Sequence, residues 1–146
     1  MSFIEERRGE FIVSTDKRRL NLQVIADFLA QRSYWARGRS LDTIARSIEN
    51  SLCFGVFEGS RQVGFARVVT DYATFGWIGD VFILESHRKR GLSKWLVQFM
   101  VNHPELARVR RLILATQDAH ELYRRYGGFE LLPQPERWMT RLQEAS

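Results

Sequence analysis

A short basic segment near the middle of the sequence holds the residues best suited to chemistry. It has the sequence Arg88-Lys89-Arg90-Gly91-Leu92-Ser93, with Lys94 next, and it separates an apolar stretch from an amphipathic one. Where a strand leads through such a turn into a helix, the free N–H groups of the first helical turn attract an anion. Gly91 lets a phosphate approach the backbone closely. The segment therefore indicates an anion site, with a merely solvated basic turn as the alternative.

The charge of the whole chain also favours anionic partners. Its 146 residues carry 22 basic and 17 acidic side chains, a formal net charge of +5. Such a charge is compatible with nucleic acid, anionic lipid or a phosphorylated small molecule. Neither a P-loop nor a three-glycine dinucleotide fingerprint is present, and no helix-turn-helix or RNA-binding signature accompanies the charge. We expect a small-molecule partner, and neither nucleic acid nor a membrane.

Composition points to one ordinary globular domain. Hydrophobic residues make up 45% of the chain and charged residues 27%, so we expect a single domain over residues 1–146. The lone Cys53 lies in an apolar run, which indicates a buried strand residue and excludes an internal disulfide or a cysteine-cluster metal site. We expect no metal.

The N-terminus lacks a signal peptide and no apolar stretch is long enough to span a bilayer, so we predict a cytoplasmic protein.

Hydrophobic periodicity predicts the elements that position the basic segment. Apolar residues recur at helical spacing after Asn21 and after Ser40, both good helix caps, and again from Leu92 to His103. Asp118 to Glu121 has the spacing of a capping box for a last helix. The stretch 75–84 is almost wholly apolar, which predicts a central strand covered on both faces. The predicted strands are 10–14, 52–58, 62–70, 75–84, 112–116, 129–132 and 137–142. We therefore expect an α/β (α+β) fold with one mixed sheet and helices on both faces.

Two motifs in this order resemble the GNAT superfamily of acetyl-CoA-dependent N-acetyltransferases. The stretch from Asp80 to Leu96 is similar to the family's core motif, whose pyrophosphate loop is Arg/Gln-x-x-Gly-x-Gly/Ala, with Ser93 here in the last small position. The stretch from Asp118 to Phe129 resembles the family's tyrosine-bearing helix, although Gly127-Gly128 inserts one residue and the family's preceding asparagine is missing. The resemblance implies the GNAT fold and acetyl-CoA as co-substrate.

The resemblance also implies a mechanism. In this family the strand before the loop pairs with the pantetheine arm, which corresponds here to Val81, Phe82 and Ile83, and an acceptor amine attacks acetyl-CoA directly. Tyr123 matches the family tyrosine that protonates the departing thiolate, although its helix position is equally that of a core residue. Asp80, a carboxylate inside an apolar strand, is a candidate base, with a structural hydrogen-bonding role as the alternative.

The acceptor site is less well defined by the sequence. Such folds commonly build it from the first helices and the terminal hairpin, which implies contacts from Tyr34, Trp35, Arg37 and Trp138, although packing would equally explain the aromatic residues. We expect an N-acetyltransferase of the EC 2.3.1 class with a small-molecule amine acceptor, as a monomer or homodimer. The alternatives are a non-catalytic acyl-CoA sensor of the same fold and a basic nucleic-acid-binding domain.

Overall fold

The computed structural model describes residues 2–143, which form a six-stranded sheet and four helices. The strands are β1 (Glu5–Arg8), β2 (Phe11–Ser14), β3 (Leu52–Glu58), β4 (Arg61–Thr70), β5 (Phe75–Ile83) and β6 (Arg111–Ile113). The helices are α1 (Leu22–Gln31), α2 (Leu41–Glu49), α3 (Leu92–Val101) and α4 (His120–Gly127). The strands lie side by side in chain order, and every pair is antiparallel except the parallel pair β5–β6. The predicted mixed sheet is confirmed.

The sheet is covered by helices on both faces, as the pattern predicted. Phe54 of β3 packs on one face with Leu96 of α3. The neighbouring Cys53 packs on the opposite face, with Phe65 of β4 and Ile25 of α1. All five side chains are almost completely buried. The period-two alternation of strand side chains therefore divides the apolar residues between two cores.

Two of the predicted helix caps are confirmed. The side chain of Asn21 accepts a hydrogen bond from the N–H of Val24 at the start of α1. The hydroxyl of Ser40 accepts one from the N–H of Thr43 at the start of α2. Each such bond stabilises its helix by about 1 kcal/mol. These two caps fix the first turns of α1 and α2, and Ser40 also ends the loop that joins the two helices.

The predicted capping box at Asp118 is wrong. Helix α4 begins one residue later than the box requires, with Ala119 at the cap position and no side-chain capping bond. The N–H of Ala119 instead donates to the hydroxyl of Thr116 over 3.1 Å. A threonine that bonds a backbone group a few residues on competes with helix capping. The Thr116 turn thus replaces the cap.

The prediction for β5 is partly wrong. This strand is fifth of six rather than central, and its first residues are not covered on both faces. Phe75 and Trp77 are 38% and 39% exposed. Their side chains alternate with the buried Gly76 and Ile78, because helix α3 covers one face of this end of the strand and no helix covers the other.

The two strands predicted for the C-terminal segment do not form. Between α4 and residue 143 the described chain contains only a short 3-10 turn at Pro135–Arg137. Pro133 and Pro135 lie between the two predicted strands and supply no N–H group for pairing, and the apolar Leu131 and Met139 of those strands stay exposed instead of packing. Strand β6 is also shorter than predicted, and β1 was not predicted because its four residues, Glu-Glu-Arg-Arg, are all charged.

Candidate functional site

A gap opens between β5 and β6 because their pairing is short. Only Phe75 to Trp77 pair with β6, and β5 then continues to Ile83 with β4 as its one partner strand. The N–H of Leu84 donates to the carbonyl of Val63 on the β4 side over 2.8 Å. Since successive backbone groups point to opposite sides of a strand, the N–H of Ile83 faces the gap. Over residues 81–83 this edge of β5 is therefore paired with no strand of the described chain, and the N–H of Ile83 points into the gap, whereas the carbonyl of Ile83 accepts a bond from Arg88.

A β-bulge at Asp80 lies at the beginning of this edge. Phe65 pairs with Phe82, whereas Arg67 pairs with Gly79, so two residues of β5 oppose one residue of β4. Asp80 adopts the left-handed region with φ 54°. Such a bulge redirects the side chains of its strand. Here it places the Asp80 carboxylate on the face that carries α1 and α2.

The Asp80 carboxylate is held by three side-chain donors. Its Oδ1 accepts from the indole Nε1 of Trp35 at 2.8 Å. Its Oδ2 accepts from Arg67 Nε at 2.6 Å and from Arg39 Nη1 at 2.8 Å. Burial alone would raise the pKa of Asp80. The hydrogen bond and charge of Arg67, the charge of Arg39 and the Trp35 bond outweigh burial and hold that pKa below its usual value.

The basic loop follows β5, and its backbone shape depends on glycine. Gly91 is the N-terminal cap residue of α3 with φ 78°, and no side chain caps this helix. A Cβ at Gly91 would have open space around it but a strained backbone. Lys89 and Arg90 are exposed beside it. The first N–H groups of a helix have no partner within it, so this uncapped terminus together with the cations can receive an anion.

The base of the loop is anchored to the sheet. The Arg88 Nε donates to the carbonyl of Ile83 over 3.2 Å. His87 is buried, with its Nε2 2.8 Å from Glu58 Oε1 and its Nδ1 2.7 Å from Ser86 Oγ. A hydrogen bond from His87 is the largest cause that lowers the pKa of Glu58. The loop therefore starts from a fixed point at the end of β3.

Tyr123 lies on α4 and is 7% exposed. Burial, with smaller contributions from Tyr34 and Asp118, raises the pKa of Tyr123 to about 12. Its ring packs edge-on against Phe129 at 5.9 Å. It also lines a cavity of about 950 Å³ bounded by β6, α4 and the segment after α4. At neutral pH the phenol is therefore a buried proton donor.

The four predicted acceptor residues fall into two groups. Trp35 bonds Asp80, and the hydroxyl of the adjacent Tyr34 accepts from the N–H of Gln117 at 2.8 Å, just before α4. Arg37 is exposed and donates to the carbonyl of Gln31 at 3.2 Å. Trp138 stacks on the Arg111 guanidinium at 5.1 Å, beside β6. Trp35 thus bonds Asp80, and Tyr34 lies near enough to Tyr123 to contribute to its raised pKa. Arg37 and Trp138 show neither relation to the candidate catalytic residues in the described part of the chain.

The sequence analysis missed the partners of these residues. Arg39 and Arg67 hold Asp80, and Gln117 holds Tyr34. A buried carboxylate requires a nearby cation, and Arg67 is the cation inside the neighbouring apolar strand, so that pair was detectable from the sequence. Arg39 and Gln117 lie in loops and carry no comparable signal.

A cluster of metal-binding side chains and a membrane-spanning helix are both absent from residues 2–143. Within that range no cluster of three or more histidine, cysteine, aspartate or glutamate residues is arranged to hold a metal ion. None of the helices described there is long and apolar enough to cross a bilayer. Two features make up the candidate site. One is the Asp80 cluster, which consists of Asp80 with Trp35, Arg39 and Arg67, and the other is the basic loop with the N-terminus of α3.

Comparisons with known proteins agree on one family. The family model "Acetyltransferase (GNAT) family" matches residues 22–129. A candidate GNAT acetyltransferase from Xanthomonas campestris pv. campestris has a similar crystal structure, with 46% identity, a TM-score of 0.88, and coverage of 94% of this chain and 96% of that one.

More distant relatives agree with this match. A candidate acetyltransferase of Gibberella zeae is 29% identical over an alignment 136 residues long, and the match covers 80% of this chain and 77% of the relative. Glucosamine-6-phosphate N-acetyltransferase from Arabidopsis thaliana shares the fold at 14% identity with a TM-score of 0.58, and the match covers 99% of this chain and all of that one (100%).

Proposed function

This chain belongs to the GNAT family of acetyltransferases, and from that premise we propose that it transfers an acetyl group from acetyl-CoA directly to the amine of a small molecule. The observation that carries the proposal is the edge of β5 at residues 81–83, which no described strand pairs with and which is joined by residues 84–91 to the uncapped N-terminus of α3. One surface thus offers backbone partners for an amide-containing arm and, next to them, donors for a pyrophosphate. Acetyl-CoA has both groups in that order.

Each part of this surface has a separate task. Val81, Phe82 and Ile83 would pair with the pantetheine arm, and the N–H of Ile83 would donate to the thioester carbonyl. The pyrophosphate would be bound by residues 88–94, where Gly91 allows close approach and Arg88, Lys89, Arg90 and Lys94 supply charge. Leu92 is buried and anchors the helix, whereas Ser93 can add a hydroxyl donor at the first turn.

Proton transfer completes the reaction. Acetyl-CoA supplies an activated acyl group; the amine nitrogen forms a bond to the acyl carbon while the carbon–sulfur bond breaks. Tyr123, whose pKa of about 12 keeps it protonated at neutral pH, would donate a proton to the departing thiolate and then regain one from water. Asp80 has a lowered pKa and three donors on its carboxylate. We therefore assign it a positioning role and assign the loss of the amine proton to water.

Replacement of Tyr123 by phenylalanine tests this assignment. Tyr123→Phe removes only the phenolic hydroxyl, so we expect the turnover number to fall roughly 10²–10⁴-fold, with acetyl-CoA affinity unchanged. Release of free thiol from acetyl-CoA with a panel of amines measures turnover, and calorimetric titration measures affinity. Tyr126→Phe on the same helix is the matched control and should keep full activity.

Two results would contradict the proposal. Full activity in Tyr123→Phe would show that Tyr123 is not the general acid, so that water or another side chain must protonate the departing thiolate. Tight acetyl-CoA binding without thiol release from any amine would instead favour the alternative function, an acyl-CoA sensor of the same fold.

A further inference from the structure

An apolar shelf extends along the sheet beyond the helices α1 and α2. On this face Phe65 and Phe82 are covered by the helices, but Val69, Phe75 and Trp77 further along are 43%, 38% and 39% exposed. Val69 and Trp77 are paired across β4 and β5, so they lie side by side. Contiguous exposed apolar side chains on a sheet face are typical of a binding surface. We call the surface formed by Val69, Phe75 and Trp77 the aromatic shelf, after the rings of Phe75 and Trp77.

The aromatic shelf is continuous with the Asp80 cluster. Gly79 lies between them, and a Cβ built on it would be 3.2 Å from the indole Nε1 of Trp77. The indole therefore lies against the bare backbone of Gly79. Gly79 is also the register partner of Arg67, which bonds Asp80. A ligand on the shelf would thus reach the bulge where the gap for acetyl-CoA begins.

The Asp80 cluster carries one positive charge in excess. Two arginines share the single carboxylate. Arg67 donates to both Asp80 and Ser51, but Arg39 donates to a protein acceptor through Nη1 alone in the described part of the chain. The Arg39 side chain is 24% exposed. A guanidinium has five N–H donors, so Arg39 has donors left for an acid group of a ligand.

We propose that the acceptor is an amine that carries both a flat aromatic body and an acid group, such as an aromatic amino acid. The ring packs on Trp77 and Phe75, the acid bonds Arg39, and the amine lies at the bulge beside Val81. This inference rests on the proposed function, whose acceptor class it names. A recessed guanidinium beside one carboxylate suits a single acid group, which favours a small molecule over a protein surface.

Three matched amines test the inference. L-Tryptophan has both features, tryptamine lacks the acid, and L-alanine lacks the ring. We expect kcat/KM for tryptophan to exceed that for each of the others by about tenfold to a hundredfold. Tryptamine leaves the charged Arg39 without an acid partner, and alanine leaves the rings of Trp77 and Phe75 uncovered. Thiol release from acetyl-CoA measures these rates in the full chain.

Single substitutions should remove one preference each. Arg39→Gln should reduce the tryptophan-to-tryptamine ratio to about one, and Trp77→Ala should do the same for the tryptophan-to-alanine ratio. Arg46→Gln on the exposed side of α2 and Phe3→Ala before β1 are matched controls that should keep both ratios. Thermal melting of Arg39→Gln and Arg39→Lys shows whether loss of the bond has unfolded the protein; in a folded Arg39→Lys protein the tryptophan preference should be partly retained.

A binding measurement separates this inference from the proposed function. Saturation-transfer NMR with N-acetyl-L-tryptophan needs no turnover, and its signal should disappear in Trp77→Ala. Signal that depends on Trp77, without thiol release from any amine, would support the shelf and overturn acetyl transfer. Efficient acetylation of alanine, tryptamine or a peptide N-terminus in preference to tryptophan would overturn the acceptor class but not the proposed acetyl transfer. An N-acetyl-L-tryptophan signal that is unchanged in Trp77→Ala would have the same meaning.

Discussion

The Asp80 cluster and the basic loop both concentrate charge on β5 or directly after it, but they differ in how that charge is satisfied. Asp80 is buried, and three protein donors occupy its carboxylate. In the loop, Lys89 and Arg90 are exposed and the first turn of α3 has no capping side chain. The Asp80 carboxylate is satisfied from within the protein, whereas the loop offers donors to something outside it. We therefore expect a change of charge at Asp80 to affect mainly stability, and a change of charge in the loop to affect mainly binding.

The largest test of this comparison removes the charge at Asp80. Asp80→Asn keeps the size of the side chain but leaves Arg39 and Arg67, both mostly buried, without a counter-charge. We expect the free energy of unfolding to fall by about 3 kcal/mol. Urea denaturation measures it, with the exposed Asp27→Asn on α1 as a control that should change stability by less than about 0.5 kcal/mol. An Asp80→Asn protein as stable as the parent would show that the charge of Asp80 does not contribute to the free energy of unfolding.

The second test adds a charge to the loop. Gly91→Asp places a carboxylate where a pyrophosphate must approach, so we expect the dissociation constant for CoA to rise about tenfold to a hundredfold. Gly91→Asn is the matched control, because asparagine and aspartate have nearly the same size and both tolerate a left-handed backbone, and only aspartate carries the charge. Calorimetric titration with CoA gives both affinities. Equal affinities for CoA in the two folded variants would show that the pyrophosphate does not bind at this loop.

The third and smallest test uses pH. The pKa of Asp80 is lowered in the folded protein, so its contribution to stability is complete above its unfolded pKa of about 4 and is lost as pH falls through its folded pKa. The stability difference between the parent and Asp80→Asn should therefore be constant from pH 7 to pH 5 and should shrink at lower pH. Urea midpoints of both proteins at each pH measure it, and the other carboxylates cancel in the difference. A difference that grew on acidification would contradict the lowered pKa.

Local signals in the sequence predicted much of the fold. The caps Asn21 and Ser40, the hairpin β3–β4 and the helix after the basic loop all depend on residues close together in the chain. Strand β1 was missed because its residues are charged on both faces, and the C-terminal strands were overpredicted because apolar content outweighed Pro133 and Pro135. The position of β5 in the sheet depends on pairings that periodicity does not specify.

The candidate site followed the same rule: features that depend on nearby residues were predictable, and those that depend on distant residues were not. The basic segment and the buried carboxylate are visible as residue types in their context. The bond from Arg39 to Asp80 spans 41 positions and that from Trp35 spans 45, and the bulge that directs the carboxylate is a register shift. Neither long-range contacts nor register shifts leave a trace in local patterning. The roles of Tyr123 and of the loop residues stay predictions.

The parallel pairing of β5 with β6 also has a consequence for how the chain folds. Strands β1 to β5 are joined antiparallel in chain order, whereas β6 reaches its place only after α3 has crossed the sheet. Pairing across such a crossover requires closing a long loop and is therefore slow compared with hairpin formation. During synthesis the antiparallel sheet can assemble while residues 111–113 are still being made. We expect β6, which borders the gap, to pair last, so that the gap beside β5 is complete only near the end of folding.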